Sequence, residues 1–209
     1  LTTMGVKPEK LDLYRHWIDL KQFKSLNKIN LRKKMHLEDK FSVIFIGRMI
    51  PPKGAVLLAS VAVELPVINF LFVGQGPDYS ILEKLSRSHP NIKLLGNVPY
   101  AKLHLYYNLA DVFCMPSLYN EGWGRVLMEA LACGLPVVVS NRGAIIEVVD
   151  KSVAVIVEPT QINIKKAIEK LYNNQDFYQT LKNNSVKYAH KNFSAESVSL
   201  ITKHYFNSR

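Results

Sequence analysis

The stretch NEGWGRVLMEALACGLPVVVS, residues 120–140, carries two glutamates eight positions apart, Glu121 and Glu129. Carboxylates so near in sequence could serve one substrate as acid and base, or could hold two different parts of one ligand. If residues 121–129 are largely helical, a rise of 1.5 Å per residue sets the side chains about 12 Å apart along the axis. The paired carboxyl groups of glycosidases stand ~5–9.5 Å apart. Two separate grips on a long, hydroxyl-rich ligand therefore fit better than a dyad. Ionised carboxylates only accept hydrogen bonds, which suits the hydroxyls of ribose and of sugar rings. Each glutamate also has a purely structural reading. Glu121 could compensate the charge of a helix N-terminus. Glu129 could lie on a solvated helix face, a reading that its neighbours Leu127, Met128, Ala130 and Leu131 weaken.

Cations and glycines accompany the glutamates. Arg48 and Lys53 flank two prolines in RMIPPKG, residues 48–54. Gly74 and Gly76 in GQGPD lack side chains where something must approach the backbone. Gly122 and Gly124 follow Glu121 at the expected start of a helix, and Arg142 stands beside Gly143. Glycines at a helix N-terminus expose backbone N–H groups, and the helix dipole adds positive potential. With Arg48 and Lys53 nearby, the natural guest is a diphosphate. The plain alternative is that the cations are solvated and the glycines merely form turns, since a lone Gly-rich loop is weak support.

The elements that must position these residues follow from hydrophobic patterning. β-rich runs occupy residues 42–47, 67–74, 92–96, 111–116, 136–140 and 153–157. Helical patterns lie near 54–64, 78–88, 100–109, 123–133 and 144–149. Several runs are apolar at both parities, as strands buried on both faces of a parallel sheet must be. Strand–helix alternation with short links predicts an α/β fold, a Rossmann-like doubly wound parallel sheet. Three helical segments close the chain, at 162–174, 177–191 and 195–206, and are expected to pack across the sheet or to reach toward a missing part. Right-handed parallel units place every strand-to-helix loop on one edge of the sheet, where ligands bind. Arg48, Lys53, Gly74, Gly76, Arg142 and Gly143 collect in those loops, with Glu121, Gly122 and Gly124 at the start of a helix.

Composition bounds the function classes. The chain has 209 residues, 48% of them hydrophobic, enough for one ordinary core. No apolar run approaches the ~18 residues of a membrane span. The chain opens on Leu1, with no initiator Met and no signal segment, and is expected to be a piece of a longer cytoplasmic protein. Cys114 and Cys133 read as buried thiols, and the six histidines show no metal-ligand spacing, so no metal is expected. The formal charge is +10, and KSLNKINLRKKMH, residues 24–36, is the densest basic part. A solvated basic helix is the default reading of that part. Docking on an anionic membrane surface is the second. Nucleic-acid contact is the weakest, because neither interleaved aromatics nor a recognisable module is present.

EGWGRVLMEALACGLPVVVS resembles the Glu-x7-Glu signature of the group-1 retaining glycosyltransferases of GT-B fold. FIGRMIPPKG is similar to that family's G-R-x4-K-G loop, and FLFVGQGPD, LGNVPY and ADVFCMPS match its intervening landmarks in order. The resemblance covers roughly residues 10–205, the donor-binding C-terminal half of such an enzyme, and the N-terminal acceptor half is absent from this chain. It implies a UDP- or GDP-linked sugar as donor, no further cofactor and no metal. Arg48 and Lys53 would neutralise the diphosphate and stabilise it as it leaves, aided by backbone near Gly47 and over Gly122, Trp123 and Gly124. Glu129 would hold the ribose hydroxyls and Glu121 those of the transferred sugar. Backbone around Val98 would meet the base, and Arg125 and Val126 would complete the donor-binding stretch. Glu121, Arg48 and Lys53 would be the catalytic set. The acceptor would belong to polysaccharide, lipopolysaccharide or glycolipid synthesis, with the protein cytoplasmic or peripheral on a membrane. His16 and Trp17 stand where the family often has Asn and Gly, and Ala144 replaces a common glycine. These departures touch loop shape and sugar identity. A nucleotide-sugar epimerase and a non-catalytic nucleotide-binding module are the rival readings.

Overall fold

The computed structural model describes residues 5, 7, 16–35, 37 and 39–196. The strands are β1 (Ser42–Ile46), β2 (Asn69–Val73), β3 (Ile92–Gly96), β4 (Val112–Met115), β5 (Val137–Ser140) and β6 (Ala154–Val157). The helices are α1 (Lys28–Lys34), α2 (Ala55–Glu64), α3 (Tyr79–Ser88), α4 (Leu103–Tyr107), α5 (Arg125–Ala132), α6 (Ile145–Val148), α7 (Gln161–Asn173) and α8 (Gln175–Phe193). All pairings are parallel, and the sheet runs β3–β2–β1–β4–β5–β6. The chain thus winds outward from β1 to one side, returns, and winds outward from β4 to the other. The β1/β4 boundary is the topological switch point, where the loops diverge and leave a crevice.

Burial follows the strand period of two. Val43 and Phe45 join Phe70, Phe72 and Leu58 on one face, while Ile44 and Ile46 join Leu71, Phe113 and Leu131 on the other. Both parities are buried in β1 and β2, which is why these strands read as unbroken apolar runs. Helix α8 crosses between the two cores. Its Tyr178 and Leu181 pack with the first face, its Ala189 and Phe193 with the second. The closing helices therefore pack across the sheet as far as they are described; the third expected helix lies almost wholly outside the described residues.

Element boundaries differ from the sequence reading by a residue or two, with local causes. β2 begins at Asn69 because the Ile68 N–H donates to Leu65 O in a turn. The helix expected near 123–133 begins only at Arg125, since Gly124 takes a left-handed φ of 66° that no helix accommodates. The 100–109 pattern divides into a 3-10 turn over Tyr100–Lys102 and the short α4.

The basic segment is not a plain solvated face. Arg32 of α1 is buried, donating Nη2 to Asp111 Oδ2 at 2.7 Å and Nε to Leu109 O at 2.8 Å. Lys28 also pairs with Asp111. Asp111 in turn accepts from the Ser42 N–H at 2.8 Å and from Tyr178 OH at 3.3 Å. Burial pushes its carboxyl upward, but Lys28 and Arg32 outweigh that and hold it below the ordinary range. Of the segment's described cations, Lys24, Lys33 and Lys34 remain exposed. Among the described residues no helix is long and apolar enough to cross a membrane.

Candidate functional site

The loops at the carboxyl edge hold one another before they could hold anything else. Gly47 N–H donates to Val73 O at 3.0 Å and Met49 N–H to Gln75 O at 2.8 Å. A Cβ on Gly74 would lie 1.9 Å from Gly47 O, and one on Gly76 would lie 2.3 Å from Met49 O. The sequence argument that something approaches these glycines therefore holds, but what approaches is the neighbouring loop. Gly47's own amide is likewise committed to β2, so any phosphate contact in this loop falls to other donors. The loop after β1 then turns through Pro51–Lys53 and meets the loop after β4, where Leu118 N–H donates to Pro52 O at 2.8 Å. This contact closes the switch point and delivers Lys53 to Glu121.

Glu121 is buried and fully engaged. Lys53 Nζ lies 2.7 and 2.8 Å from its two oxygens, Ser117 Oγ donates at 2.5 Å and Tyr119 OH at 3.0 Å. Its backbone is pinned from β5, where Ala144 N–H donates to Glu121 O at 2.9 Å. Burial raises the carboxyl pKa, yet the bonds from Lys53, Ser117 and Tyr119 outweigh it, so Glu121 lies below its ordinary value. Burial opposes the Lys53 charge too, and Glu121 with Tyr119 reverses that, leaving the ammonium above its ordinary value. Glu121 precedes α5 by four residues and is paired to a lysine, so it is not a helix N-terminal charge. The helical premise behind the 12 Å separation also fails over residues 121–124, because α5 starts at Arg125.

Glu129 sits inside α5 with only 2% exposure, so a solvated helix face is excluded. Tyr107 OH donates to its Oε2 at 2.8 Å, and Arg125 Nε lies 3.3 Å from Oε1. Burial dominates and leaves the carboxyl above its ordinary value despite the bonds from Tyr107 and charge of Arg125. Burial and the adjacent carboxylate push the Tyr107 phenol well above its own.

Residues of these loops line two clefts. One, of about 270 Å³, is lined by Gly47, Arg48, Gly74, Gln75, Asn97 and Val98, which brings Arg48 and Val98 together. The other, of about 680 Å³, is lined by Trp123, Gly124 and Arg125 with His16, Trp17 and Tyr100. The Trp123 Nε1–H is buried and, among the described residues, has no hydrogen-bond partner. Gly122 is open, with nothing within 4 Å of an added Cβ, whereas Val126 packs against the core. Lys53 lines neither cleft as described, being turned to Glu121. Arg142, a further cation of this edge by sequence, forms a bidentate pair with Glu158 at 2.7 and 2.8 Å. Both cysteines are buried thiols.

Residues 27–188 match the family described as glycosyl transferases group 1. The chain belongs to that family. Among its relatives is the phosphatidylinositol N-acetylglucosaminyltransferase GPI3 subunit of Saccharomyces cerevisiae, 27% identical over 76% of this chain and 36% of that protein. The D-inositol 3-phosphate glycosyltransferase of Segniliparus rotundus is 31% identical over 72% of this chain and 36% of its own length. This chain thus spans about a third of the length of these curated relatives. The crystal structure of Anabaena HepE in complex with UDP superposes with a TM-score of 0.89, covering 100% of this chain and 60% of that one at 20% identity. At that identity the likeness is one of fold, the Rossmann-like half of a GT-B glycosyltransferase.

Within this group-1 glycosyltransferase chain, four partners escaped sequence reading. Ser117 and Tyr119 fix Glu121, while Tyr107 and Tyr100 surround Glu129. Ser117 and Tyr119 stand within four residues of Glu121 in a loop, and a survey of hydroxyls around each buried acid would find them. Tyr107 has no such signal, since an aromatic in an amphipathic helix reads first as core.

Proposed function

We propose that this chain is the donor-binding half of a retaining glycosyltransferase that takes a UDP- or GDP-linked sugar and works without a metal ion. An N-terminal half of the same polypeptide completes the cleft and carries the acceptor, a glycolipid, lipopolysaccharide or polysaccharide precursor. The observation that carries this reading is the junction at the β1/β4 switch point. There Lys53 from one loop and Glu121 from the other meet, while Arg48 of the first loop lines a cleft together with Val98. HepE, solved with UDP, supports a uridine nucleotide as the first ligand to try. The phosphatidylinositol and inositol phosphate acceptors in the relatives' names favour a phosphorylated polyol or its lipid among the acceptors.

Chemically, the site supplies fixed charge. Arg48 meets the diphosphate from the smaller cleft, where no ion pair among the described residues engages it. Lys53 exchanges part of its bond with Glu121 for a phosphate oxygen. The two cations stabilise negative charge as it builds on the departing diphosphate, the task a divalent ion performs elsewhere. Glu121, ionised and oriented by Ser117 and Tyr119, accepts from hydroxyls of the sugar. Glu129 accepts from those of the ribose, and backbone around Val98 meets the base. Gly122, Trp123 and Gly124 supply amides to the phosphates, and the Trp123 Nε1–H, without a partner among the described residues, is a further donor.

Titration calorimetry with UDP in EDTA tests this reading. Arg48→Ala is expected to weaken UDP roughly tenfold or more, the size of a lost charge-assisted hydrogen bond. Lys53→Ala is expected to weaken it by a similar factor. Undiminished binding by both variants would sink the diphosphate assignment, and binding that needs Mg²⁺ would sink metal independence.

A further inference from the structure

The Glu129 side chain keeps only 2% of its surface exposed, yet the reading above asks it to receive ribose hydroxyls. Its two oxygens are engaged by partners of very different freedom. Tyr107 is fully buried and packs its ring against Phe23 and Phe113 at centroid distances of 6.1 and 5.8 Å, so it cannot leave without opening the core. The Arg125 side chain is 63% exposed, and its contact with Oε1 is long, at 3.3 Å. Arg125 has a second seat close by. Its Nη2 donates to Tyr100 OH at 2.6 Å, and its guanidinium carbon lies 4.8 Å from the Tyr100 ring centroid. Tyr100 is itself 43% exposed, on the short 3-10 turn that follows β3. The movable part of the cover over Glu129 is therefore an arginine–tyrosine pair.

We propose that Arg125, seated on Tyr100, is a ligand-displaced latch over Glu129, and that ribose hydroxyls reach the carboxylate by taking the place of the Arg125 Nε–H at Oε1. The inference rests on the reading of Glu129 as the ribose grip. Tyr107 keeps its bond to Oε2 throughout and holds the carboxylate in place, so one oxygen is structural and the other exchanges. The displaced guanidinium keeps its charge in water, because it already lines the 680 Å³ cleft beside Trp123 and Gly124. Arg125 then sets how readily a ribose is accepted over a ligand without one. A ligand that stops at the phosphates never needs the latch to move.

The experiment compares the parent protein with Arg125→Leu, Tyr100→Phe and Glu129→Gln in titrations with UDP and with inorganic pyrophosphate at pH 8. Arg125→Leu is expected to bind UDP about two- to fivefold more tightly, the worth of an ion pair with one exposed partner. Its pyrophosphate affinity is expected not to rise, since removing a cation beside Trp123 and Gly124 gives phosphate nothing to gain. Tyr100→Phe removes the hydroxyl that seats the guanidinium and also bonds Glu129, and is expected to tighten UDP without tightening pyrophosphate. Glu129→Gln weakens UDP and cancels the gain when combined with Arg125→Leu. Arg125→Leu binding UDP no better than the parent, while Glu129→Gln weakens it, overturns the latch and leaves the ribose grip standing. A matching gain for pyrophosphate overturns the latch as well. Parent-like UDP binding by Glu129→Gln removes the grip, and the latch falls with it.

Discussion

Asp111→Ala is expected to lower the unfolding free energy by about 3–5 kcal/mol, because it strands a buried charge. Arg32 is 4% exposed and gives its Nη2 to Asp111. Without that carboxylate it keeps only Leu109 O and Asp39. The same carboxylate also caps the Ser42 N–H at the start of β1 and receives Lys28 from α1. It thus ties the first helix to the two strands that bound the switch point, at the sheet edge opposite the site. Urea unfolding at pH 7 measures the effect. The double variant Asp111→Leu with Arg32→Leu is expected to recover part of the loss, since it removes both charges together. The pH dependence has a definite sign. The folded-state pKa of Asp111 lies below its unfolded value, so its contribution is complete above about pH 4 and is lost as pH falls through the folded pKa. The gap between parent and Asp111→Ala should therefore narrow only in acid. A loss of under 1 kcal/mol at pH 7 would mean that Arg32 finds solvent or another partner, and that the cluster does not hold α1.

The parts of the fold legible in the sequence are those set by local period. A strand buried on both faces must be apolar at both parities, and residues 42–46 and 69–73 are. Glycines forced by close approach were equally visible, but sequence carries no sign of what approaches. For Gly74 and Gly76 it is the carbonyl of a neighbouring loop. The basic run misled for a different reason. Arg32, Lys33 and Lys34 are adjacent and chemically alike, yet Arg32 alone is buried, because its partner Asp111 lies 79 residues further on. A charge run read without its long-range partner defaults to solvent. The same limit hid the surroundings of Glu129. The spacing of Arg125 and Glu129 is the helical i, i+4 pair, but Tyr107 and Tyr100 reach the same carboxylate from elements 22 and about 29 positions earlier, by way of a fold no local pattern encodes.

The two glutamates are expected to fail in different ways when replaced. Glu129→Ala should weaken UDP and the UDP-sugar alike, because the ribose is common to both. Glu121→Ala should remove only the extra affinity or discrimination that the sugar confers. Each lost carboxylate–hydroxyl contact costs about 1.5–3 kcal/mol, roughly ten- to hundredfold in Kd. The structure sharpens the second half of this expectation. Glu121 holds Lys53 by both oxygens, so its removal frees the cation that we propose meets the diphosphate. Affinity of Glu121→Ala for bare UDP should accordingly hold or rise while affinity for the UDP-sugar falls. The opposite pKa directions, Glu121 lowered and Glu129 raised, are also what an acid/base pair would show. Those directions do not require such a pair, for Glu129 lies at 2% exposure between Tyr107 and Arg125. Its raised pKa is the mark of burial, since burial is the dominant cause of the shift. A dyad would instead leave both variants with parental affinity for both ligands and abolish turnover in the full-length enzyme. The two-by-two titration separates the cases: two variants against UDP and UDP-sugar, with Glu129→Gln and Glu121→Gln as isosteric controls. If all four bind both ligands as the parent does, the glutamates belong to chemistry or to the fold, and neither grips the donor.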